Sequence, residues 1–344
     1  MLGIVDAAEL RSRAEQALGF VLGGTRRVAL VNFPNHGNPG DPGLWLGTHA
    51  LLRSLGVRVV YQATHWSLDL AALDRAVGSD PVLINGGGNF GDLYAGQQGA
   101  RMELIRGWGG RPLVQLPQSI QFADPANALP VAEAIRMQGA FTMMVRDETS
   151  VALSRELLGI DAVLSPDHAF GQHPLQSRAQ ITREVLWMVW PPGAPEATTA
   201  SQLPDPPEWV HVEDWHTGAA LAHEHFDAHG RLAWRVNRWF EAHWSSPRAR
   251  RAWPLLAATF APLARRWFGR GVDLVAGSRV LVTNKLHGHV VAVLLGKPHV
   301  VLDNSYGKVA GILDTWTGGL PIVHRASTAA EALAIAERLR AERA

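Results

Sequence analysis

The sequence predicts an α/β protein with two doubly wound units, and three observations support this fold class. The 344 residues are enough for two domains of ordinary size, with one large domain as the alternative. Short β-branched runs alternate with helical patterns through the first half of the chain, as is typical of a parallel sheet covered by helices. The same alternation returns near the carboxyl end.

The elements of the first half follow one another strand by helix. The predicted strands are Arg27–Phe33, Val57–Tyr61, Pro81–Asn85, Pro112–Leu116, Phe141–Val145 and Ala162–Ser165. The predicted helices are Leu44–Leu55, Leu68–Val77, Gly99–Arg106, Pro130–Met137 and Glu148–Leu158. Because parallel strands need crossover connections, this order predicts helices on both faces of one sheet.

The second half repeats this order after an interruption. The interruption holds a proline-rich loop at Pro191–Pro207 and a helical region at Thr217–Trp267. We predict an N-terminal Rossmann-like domain at 1–175 and a C-terminal one at 176–344 with a Trp-rich helical insertion at about 205–270, the change falling near Gln172–Arg183. After the interruption, strands and helices are predicted to alternate through Arg279–Thr283, Leu286–Leu295, His299–Leu302, Lys308–Thr315, Ile322–His324 and Thr328–Ala344.

Tryptophan is concentrated in the interruption, since nine of the 13 residues lie between Trp187 and Trp267. The favoured interpretation is that the indoles pack long helices together. The alternative is that some of them line a sugar-binding cleft, because an indole face stacks on a pyranose ring. The Trp- and Arg-rich stretch Trp239–Arg270 also allows two interpretations, a solvated helical face, which is favoured, or a peripheral membrane contact.

The composition excludes several classes of protein. The 32 basic and 31 acidic residues leave a formal charge of +1, which gives no net attraction to nucleic acid. Hydrophobic residues at 47% and charged residues at 18% indicate a packed core rather than disorder. The absence of cysteine excludes disulfides, thiolate metal sites and a cysteine nucleophile. No apolar run approaches the roughly 20 residues of a membrane helix and no secretory signal begins the chain, so we expect a cytoplasmic protein.

The first candidate site is the loop Asn35–Asp41, which follows the first predicted strand. Gly37 and Gly40 permit close backbone approach, and the next helix offers free N–H groups to an anion. The loop lacks the ending of a Walker A motif and the spacing of a dinucleotide fingerprint. It is interpreted either as part of a substrate site or as a tight turn in which Asp41 caps the helix.

The second candidate site is the glycine-rich loop Asn85–Asp92, which follows the apolar strand Val82–Ile84. Three consecutive glycines cost conformational entropy, so a plain connection would rarely use them. A ligand that approaches the backbone closely is therefore favoured over a structural bulge.

The third candidate site lies where the strand Val280–Thr283 runs into a helix. Lys285 stands just before that helix, so its charge and the free N–H groups of the first turn favour a phosphate or carboxylate. His287, in the first turn, is a candidate general acid or base. The alternative for His287 is a hydrogen-bonded structural residue.

Three further polar segments follow predicted strands. Arg146 is interpreted as a surface ion-pair partner or as a bidentate anion-binding group, with Asp147 capping the next helix. Asp167 follows the last strand of the first half, and the polar loop Asp303–Lys308 follows a strand of the second. No histidine pattern typical of a catalytic metal occurs, so no metal site is predicted.

These segments, taken in chain order, resemble the polysaccharide pyruvyl transferase family, and in particular its bacterial exopolysaccharide branch. Each motif is weak alone, but the ordered set is specific and spans about residues 30 to 316. The matching segments are Asn38–Asp41, Asn85–Asp92, Leu116–Ser119, Arg146–Glu148, Ser165–Asp167, Leu286–His289 and Leu302–Lys308.

The resemblance implies a GT-B-like fold, in which two Rossmann-like domains face each other across a cleft. It also implies phosphoenolpyruvate as co-substrate with no further cofactor, and a hydroxyl pair of a glycan or lipid-linked oligosaccharide as acceptor. The product would be a pyruvate ketal on a hexose. The C-terminal domain would bind the donor, and the N-terminal domain would carry the acceptor side with part of the donor site. The oligomeric state stays open.

The resemblance also assigns roles to residues. His287 would be catalytic, and Lys285, Leu286, Gly288 and Arg146 would bind the donor. The supporting or substrate-binding residues would be Asn38, Gly40, Asp41, Gly87, Gly88, Asn89, Asp92, Gln118, Asp167, Asn304, Ser305, Tyr306 and Lys308.

One departure from the family pattern is Lys285, which stands where the family usually has Arg. Lysine keeps the charge but loses the planar fork of a guanidinium. The departure is compatible with weaker donor binding, a changed donor or a lost activity, and the presence of His287 and Arg146 favours retained chemistry. The alternative functions are a sugar-nucleotide-dependent glycosyltransferase and an inactive glycan-binding relative.

Overall fold

The computed structural model describes residues 6–215 and 226–342. Its helices are α1 (Ala7–Leu22), α2 (Gly40–Ser54), α3 (Leu70–Val77), α4 (Ala95–Gly107), α5 (Leu129–Gln138), α6 (Glu148–Leu158), α7 (Ala228–His243), α8 (Pro247–Arg251), α9 (Trp253–Ala276), α10 (Leu286–Leu294), α11 (Lys308–Ile312) and α12 (Ala329–Ala341). Its strands are β1 (Arg27–Val31), β2 (Arg58–Ala63), β3 (Val82–Ile84), β4 (Gly87–Gly91), β5 (Leu113–Gln121), β6 (Phe141–Val145), β7 (Val163–Leu164), β8 (Arg183–Met188), β9 (Val210–Val212), β10 (Ser278–Thr283), β11 (His299–Val301) and β12 (Val323–Arg325).

The first sheet is parallel, with strand order β2-β1-β3-β5-β6-β7, and β4 pairs beside β5. Alternate side chains of β1 enter two different cores. Val28 and Leu30 pack with α1, α2, α7 and α9 on one face, whereas Ala29 and Val31 pack with α3, α4 and α5 on the other. The sheet is therefore buried on both faces, as continuous apolar strands require.

The second sheet is also parallel, with strand order β12-β11-β10-β8-β9. Val280 and Val282 of β10 pack against α12 on one face, and Leu281 packs against α9 and α10 on the other. Two helix-covered parallel sheets confirm the predicted α/β class with two Rossmann-like units in a GT-B-like arrangement. The domain limits at 175 and 176 stay a prediction.

Helix α7 and the first part of α9 pack on the first sheet, whereas the last part of α9 packs on the second. Their buried side chains share one apolar cluster with Val28 and Leu30. Phe260 of α9 stacks on Phe33, with ring centroids 4.2 Å apart. In the described part of the chain, no helix is both long and apolar enough to span a membrane.

Several elements differ from the sequence prediction. Residues Gly87–Gly91, predicted as a loop, form β4 because their backbone pairs with β5. Helix α2 begins at Gly40 rather than Leu44, because the Asn38 side chain accepts a hydrogen bond from the Gly40 N–H. The helical region predicted from Thr217 is three helices, and its first part, 217–225, lies outside the described residues. Strands β8 and β9 were not predicted.

Candidate active site

The carboxyl ends of strands from both sheets open into one cavity of about 510 Å³. A volume of this size is typical of a small-molecule site. The position agrees with the general rule for open α/β sheets, whose ligands bind beyond the carboxyl ends of the strands. The cavity is lined by Asn32, Phe33, Pro34, Asn35, His36, Asn38, Asp41, His65, Asn85, Gly86, Gly87, Gly88, Asn89, Tyr94, Gln97, Arg146, Trp190, Pro195, Glu196, Trp215, Lys285, Leu286, His287 and Lys308.

His287 reaches the cavity from the first turn of α10, as the sequence predicts. Lys285 is the N-cap of this helix, in extended backbone conformation. The imidazole packs directly on Gly40, where an added Cβ would lie only 2.3 Å from His287 Nδ1. Gly40 therefore does not line the cavity but makes room for the side chain that does.

Two carboxylates flank the His287 imidazole. The Nδ1 atom lies 3.5 Å from Asp41 Oδ1, and the Nε2 atom lies 3.6 Å from Asp167 Oδ2. Burial raises the pKa of the Asp167 carboxyl, but the hydrogen bond and charge of His287, together with Arg146, outweigh it, so the pKa lies well below its usual value. An imidazolium at this position therefore faces two ionised carboxylates.

Asp41 connects His287 to a second imidazole. His36 Nε2 lies 3.2 Å from Asp41 Oδ2, and the His36 side chain is 39% exposed. Burial raises the pKa of Asp41, but His36, His287 and Lys308 outweigh it and hold the pKa well below its usual value. Asp41 is not the helix cap that one interpretation predicted, because it lies within the first turn of α2.

Arg146 is buried, with 1% of its side chain exposed, and is not the surface residue that one interpretation allowed. Its Nη1 donates to Asp167 Oδ2 at 2.6 Å, and its Nε donates to Ser119 Oγ at 3.0 Å. Asp147 caps α6, as predicted, and accepts from the Ser150 N–H. These contacts fix the guanidinium at the cavity edge, beside the imidazole that shares Asp167 with it.

Lys285 is also buried, with 2% of its side chain exposed. Its Nζ lies 2.9 Å from Asp214 Oδ1 and 3.5 Å from the centre of the Trp190 ring. Burial lowers the pKa of Lys285, and the charges of Asp214 and Glu196 oppose that change. An ammonium at this place is thus supported by an aromatic face and a carboxylate.

Lys308 is held by an acidic residue from the proline-rich loop. Its Nζ lies 2.7 Å from Glu196 Oε2, and the Tyr94 hydroxyl donates to Glu196 Oε1 at 3.0 Å. Burial lowers the pKa of Lys308, and the charge of Glu196 opposes that change. Because Tyr94 follows β4 of the first sheet and Lys308 follows β11 of the second, Glu196 joins the two sides of the cavity.

The glycine-rich strand β4 brings its backbone against these cations. A Cβ on Gly88 would lie 2.9 Å from Arg146 Nη2 and 3.2 Å from Lys308 Cδ. Gly87 has a φ of +140°, a conformation that side chains rarely adopt. Gly88 therefore lets two basic side chains and the backbone share one small space, and Gly87 permits the backbone conformation that precedes it.

Asn89 is held in place by a buried polar network behind the cavity wall. Gln118 accepts from the Asn89 N–H at 3.2 Å and donates to its Oδ1 at 3.0 Å. Arg101 Nη2 also donates to Asn89 Oδ1, at 2.6 Å. Gln118 thus supports the cavity wall without lining it.

The other predicted site residues lie behind the cavity or outside it. Asn304 and Ser305 hold the loop of Glu196, since the Asn304 amide donates to Glu196 and Ser305 donates to Pro195. The ring of Tyr306 lies 5.4 Å from Lys308 Nζ. Gly288 lies on the side of α10 that faces the second sheet, where a Cβ would lie 2.7 Å from Met188 Cε.

Asp92 lies apart from the other predicted site residues. Its carboxylate accepts hydrogen bonds from the backbone of Ala123 and Asp124 and from the Asn127 side chain. Hydrogen bonds from these groups hold the pKa of Asp92 below its usual value although burial raises it. The structure therefore places Asp92, which directly follows β4, against the turn that follows β5.

The sequence prediction did not include several residues of this site. They are His36, Tyr94, Trp190, Glu196 and Asp214. The position of His36 within the loop Asn35–Asp41 offered a signal, and Trp190 belongs to the Trp-rich region for which a sugar-binding cleft was the alternative interpretation. The others have no motif and are brought in by the fold. Within residues 6–215 and 226–342, no group of three His, Asp or Glu residues has the geometry to hold a metal ion.

Fold and site together define the class of protein. Two helix-covered parallel sheets with a polar cavity at their strand ends form a GT-B-like α/β architecture. A solved structure of a functionally uncharacterised protein from Klebsiella pneumoniae matches 93% of this chain and 99% of its own, with a TM-score of 0.59 and 15% identity. At that identity the match supports the fold alone.

The polysaccharide pyruvyl transferase family model matches residues 36–242 and 270–306, and the chain belongs to this family. Pyruvyl transferase 1 of Schizosaccharomyces pombe is 26% identical over 86% of this chain and 71% of its own length. The putative pyruvyl transferase EpsO of Bacillus subtilis is 29% identical over 86% of both chains. The resemblance predicted from the motifs is confirmed.

Proposed function

We propose that this protein transfers pyruvate from phosphoenolpyruvate to a hexose of an exopolysaccharide or its precursor and forms a pyruvate ketal. The observation that carries the proposal is the position of His287, between two carboxylates and beside a buried arginine that shares Asp167 with it. Membership of the family and the names of the relatives support pyruvyl transfer.

The donor has two anionic groups, a phosphate and a carboxylate, and the cavity has three basic side chains. Arg146, Lys285 and Lys308 all line it. Each basic group is already paired with a carboxylate of the chain, which fixes its position and favours its charged form against burial. We infer that the donor anions lie between these side chains and the backbone of β4.

The enol ester reacts only after its methylene carbon gains a proton. His287 gives that proton, which leaves positive charge on the carbon that carries phosphate and carboxylate. A sugar hydroxyl adds to this carbon, the bond to phosphate breaks with its electron pair, and the second hydroxyl closes the ketal. Of the two hydroxyl protons, one restores the imidazolium and the other leaves with the phosphate.

These transfers need a second proton acceptor near the sugar. His36 meets that need, because it lines the cavity and contacts the same carboxylate, Asp41, as His287 does. We infer that His36 accepts the proton of the first hydroxyl and passes it to the departing phosphate, while the proton of the second hydroxyl returns to His287. Asp41 then keeps both imidazoles in orientation.

A direct assay tests the function. The protein is incubated with phosphoenolpyruvate and a panel of aryl glycosides of glucose, galactose, mannose and N-acetylmannosamine. We expect phosphate release with at least one glycoside, together with a mass gain on that sugar of one pyruvate less one water. Calorimetric binding of a nucleotide sugar, with no binding of phosphoenolpyruvate, would instead support a glycosyltransferase and contradict the proposal.

A further inference from the structure

Positive charge is concentrated in the helices α7, α8 and α9. Between residues 226 and 276 the chain has nine arginines against three acidic residues. The whole chain carries a charge of only +1, so the rest of the molecule is acidic on balance. Such separation of charge indicates a surface for an anionic partner.

The arginines of α7 share one exposed face with two large apolar side chains. Leu232 and Trp239 are 60% and 51% exposed, and Arg231, Arg235 and Arg238 are exposed beside them. Their spacing of three to four residues places them on one side of the helix. The opposite side is buried against the protein through Gly230, Ala233, Asn237 and Phe240.

The short helix α8, next along the chain, carries further exposed arginines. It begins four residues after the end of α7 and exposes Arg248, Arg250 and Arg251. Leu255, in the first turn of α9, is 64% exposed. We call these side chains, with the exposed face of α7, the basic helical surface.

We propose that the basic helical surface binds the anionic face of a lipid bilayer. Arginines attract anionic headgroups, indole rings settle at the headgroup level, and exposed leucines enter the acyl boundary. A nucleic acid would satisfy the arginines but would leave Leu232 and Leu255 in water. The combination of charge with aliphatic side chains therefore favours lipid.

The packing connects this surface to the cavity. Helix α7 packs on α9, and Phe260 of α9 stacks on Phe33, which lines the cavity. Binding through the basic helical surface would hold the first sheet and its cavity near the membrane. A lipid-linked oligosaccharide would then be presented to the site at that surface.

Co-sedimentation with vesicles tests the proposal on the full chain and needs no catalytic activity, so its result is independent of the proposed function. The vesicles are phosphatidylcholine alone or a 7:3 mixture with phosphatidylglycerol. We expect binding to the mixture at low salt, much weaker binding at 0.5 M salt because the charges are screened, and little binding to phosphatidylcholine. Equal binding to both vesicles would overturn the proposal.

A charge-matched pair of triple variants identifies the surface. In the test variant Arg235, Arg248 and Arg251 become Gln, and in the control the exposed Arg58, Arg106 and Arg136 become Gln. At about fivefold in affinity for each arginine near the bilayer, the test variant should bind about a hundredfold more weakly. The control should lose much less. Equal losses, or tighter binding of a DNA duplex than of the anionic vesicles, would contradict the proposal.

Discussion

Two histidines of α10 lie two residues apart, but one lines the cavity and the other is buried in the protein. His287 reaches the cavity and has carboxylates near both ring nitrogens. His289 is fully buried, with Nδ1 2.8 Å from His299 Nε2 and Nε2 2.8 Å from Thr317 Oγ1. No carboxylate of the described residues pairs with it. Because these positions face different sides of the helix, one residue type takes two roles.

The protons of the buried pair follow from its hydrogen bonds. His299 Nδ1 lies 2.8 Å from the Lys297 carbonyl, which only accepts, so this nitrogen carries a proton. In the neutral ring Nε2 then accepts from His289 Nδ1, and His289 Nε2 accepts from the Thr317 hydroxyl. Burial lowers the pKa of both residues, that of His299 to about 4.

The comparison shows what separates a reactive imidazole from a structural one. Both are positioned by their neighbours, but only His287 has counter-charges and contact with a cavity. His289 has both ring nitrogens hydrogen-bonded while neutral, and its burial disfavours a charged ring. The first residue should therefore affect turnover and the second stability.

Replacement of the reactive histidine should give the largest effect. We expect His287→Ala to lower kcat by about 10²–10⁴-fold, the usual range for the loss of a general acid–base group. The free energy of unfolding of this variant should change little, because the His287 side chain lies at the cavity edge. Steady-state kinetics and urea unfolding measure both. Turnover at the wild-type rate would show that the catalytic assignment is wrong.

Replacement of His289, two residues later, should have the opposite result, a loss of stability with little change in kcat. We expect His289→Ala to lower the free energy of unfolding by about 2–4 kcal/mol, because it leaves a void and two buried groups without their partner. The folded enzyme should keep kcat within a few-fold. An unchanged midpoint of urea unfolding together with a large loss of kcat would contradict the distinction.

The buried pair also predicts how stability depends on pH. The pKa of His299 is about 4 in the folded protein and 6.5 ordinarily, so the unfolded chain takes up its proton first as the pH falls. The free energy of unfolding should decrease between about pH 6.5 and 4, by up to about 3 kcal/mol for such a group. Urea unfolding at several pH values tests this. His287→Ala should keep the dependence, and a flat profile would argue against a neutral pair.

The sequence predicted the fold because apolar periodicity is a local property. Strand β6, at Phe141–Val145, matches its predicted limits. The strand β8 was not predicted because it begins at Arg183, inside the segment where the change of domain was predicted. Strand pairing also explains why β4 was not predicted. Its glycines have no strand pattern, and they form a strand because they pair with β5.

The site was predictable where a short segment carries several polar groups at a strand end. Lys285 and His287 lie in such a segment, and the structure places both at the cavity. Glu196 and Asp214 could not be predicted in this way, because each lies in an irregular segment that carries no motif. Their role comes from contacts with Lys308 and Lys285, which only the folded chain shows.

Replacement of Lys285 should change the KM for the donor, whereas replacement of His287 should change kcat. We expect Lys285→Ala to raise the KM for phosphoenolpyruvate about 10- to 100-fold with a smaller effect on kcat, since a binding charge acts on ground state and transition state alike. Lys285→Arg, which keeps the charge and restores the residue usual in the family, is the control and should stay within a few-fold. A loss of kcat with unchanged KM would give Lys285 a role in proton transfer instead.

His36 extends the comparison to a third histidine and should give the smallest change. Like His287 it contacts Asp41, but its side chain is 39% exposed, so water can take its place in part. We expect His36→Gln to lower kcat about tenfold, below the usual range for a general base, and to alter the pH profile of kcat. If His36 had only a structural role, the substitution would lower kcat by the same factor at every pH.

The matched control is His211→Gln. His211 also pairs with a carboxylate, Glu213, at 2.9 Å, but it does not line the cavity. Its replacement should leave kcat and the pH profile as they are, because a histidine–carboxylate pair acts on the reaction only where it reaches the substrate. If both variants lost activity equally, the contact between His36 and Asp41 would have no special part in catalysis.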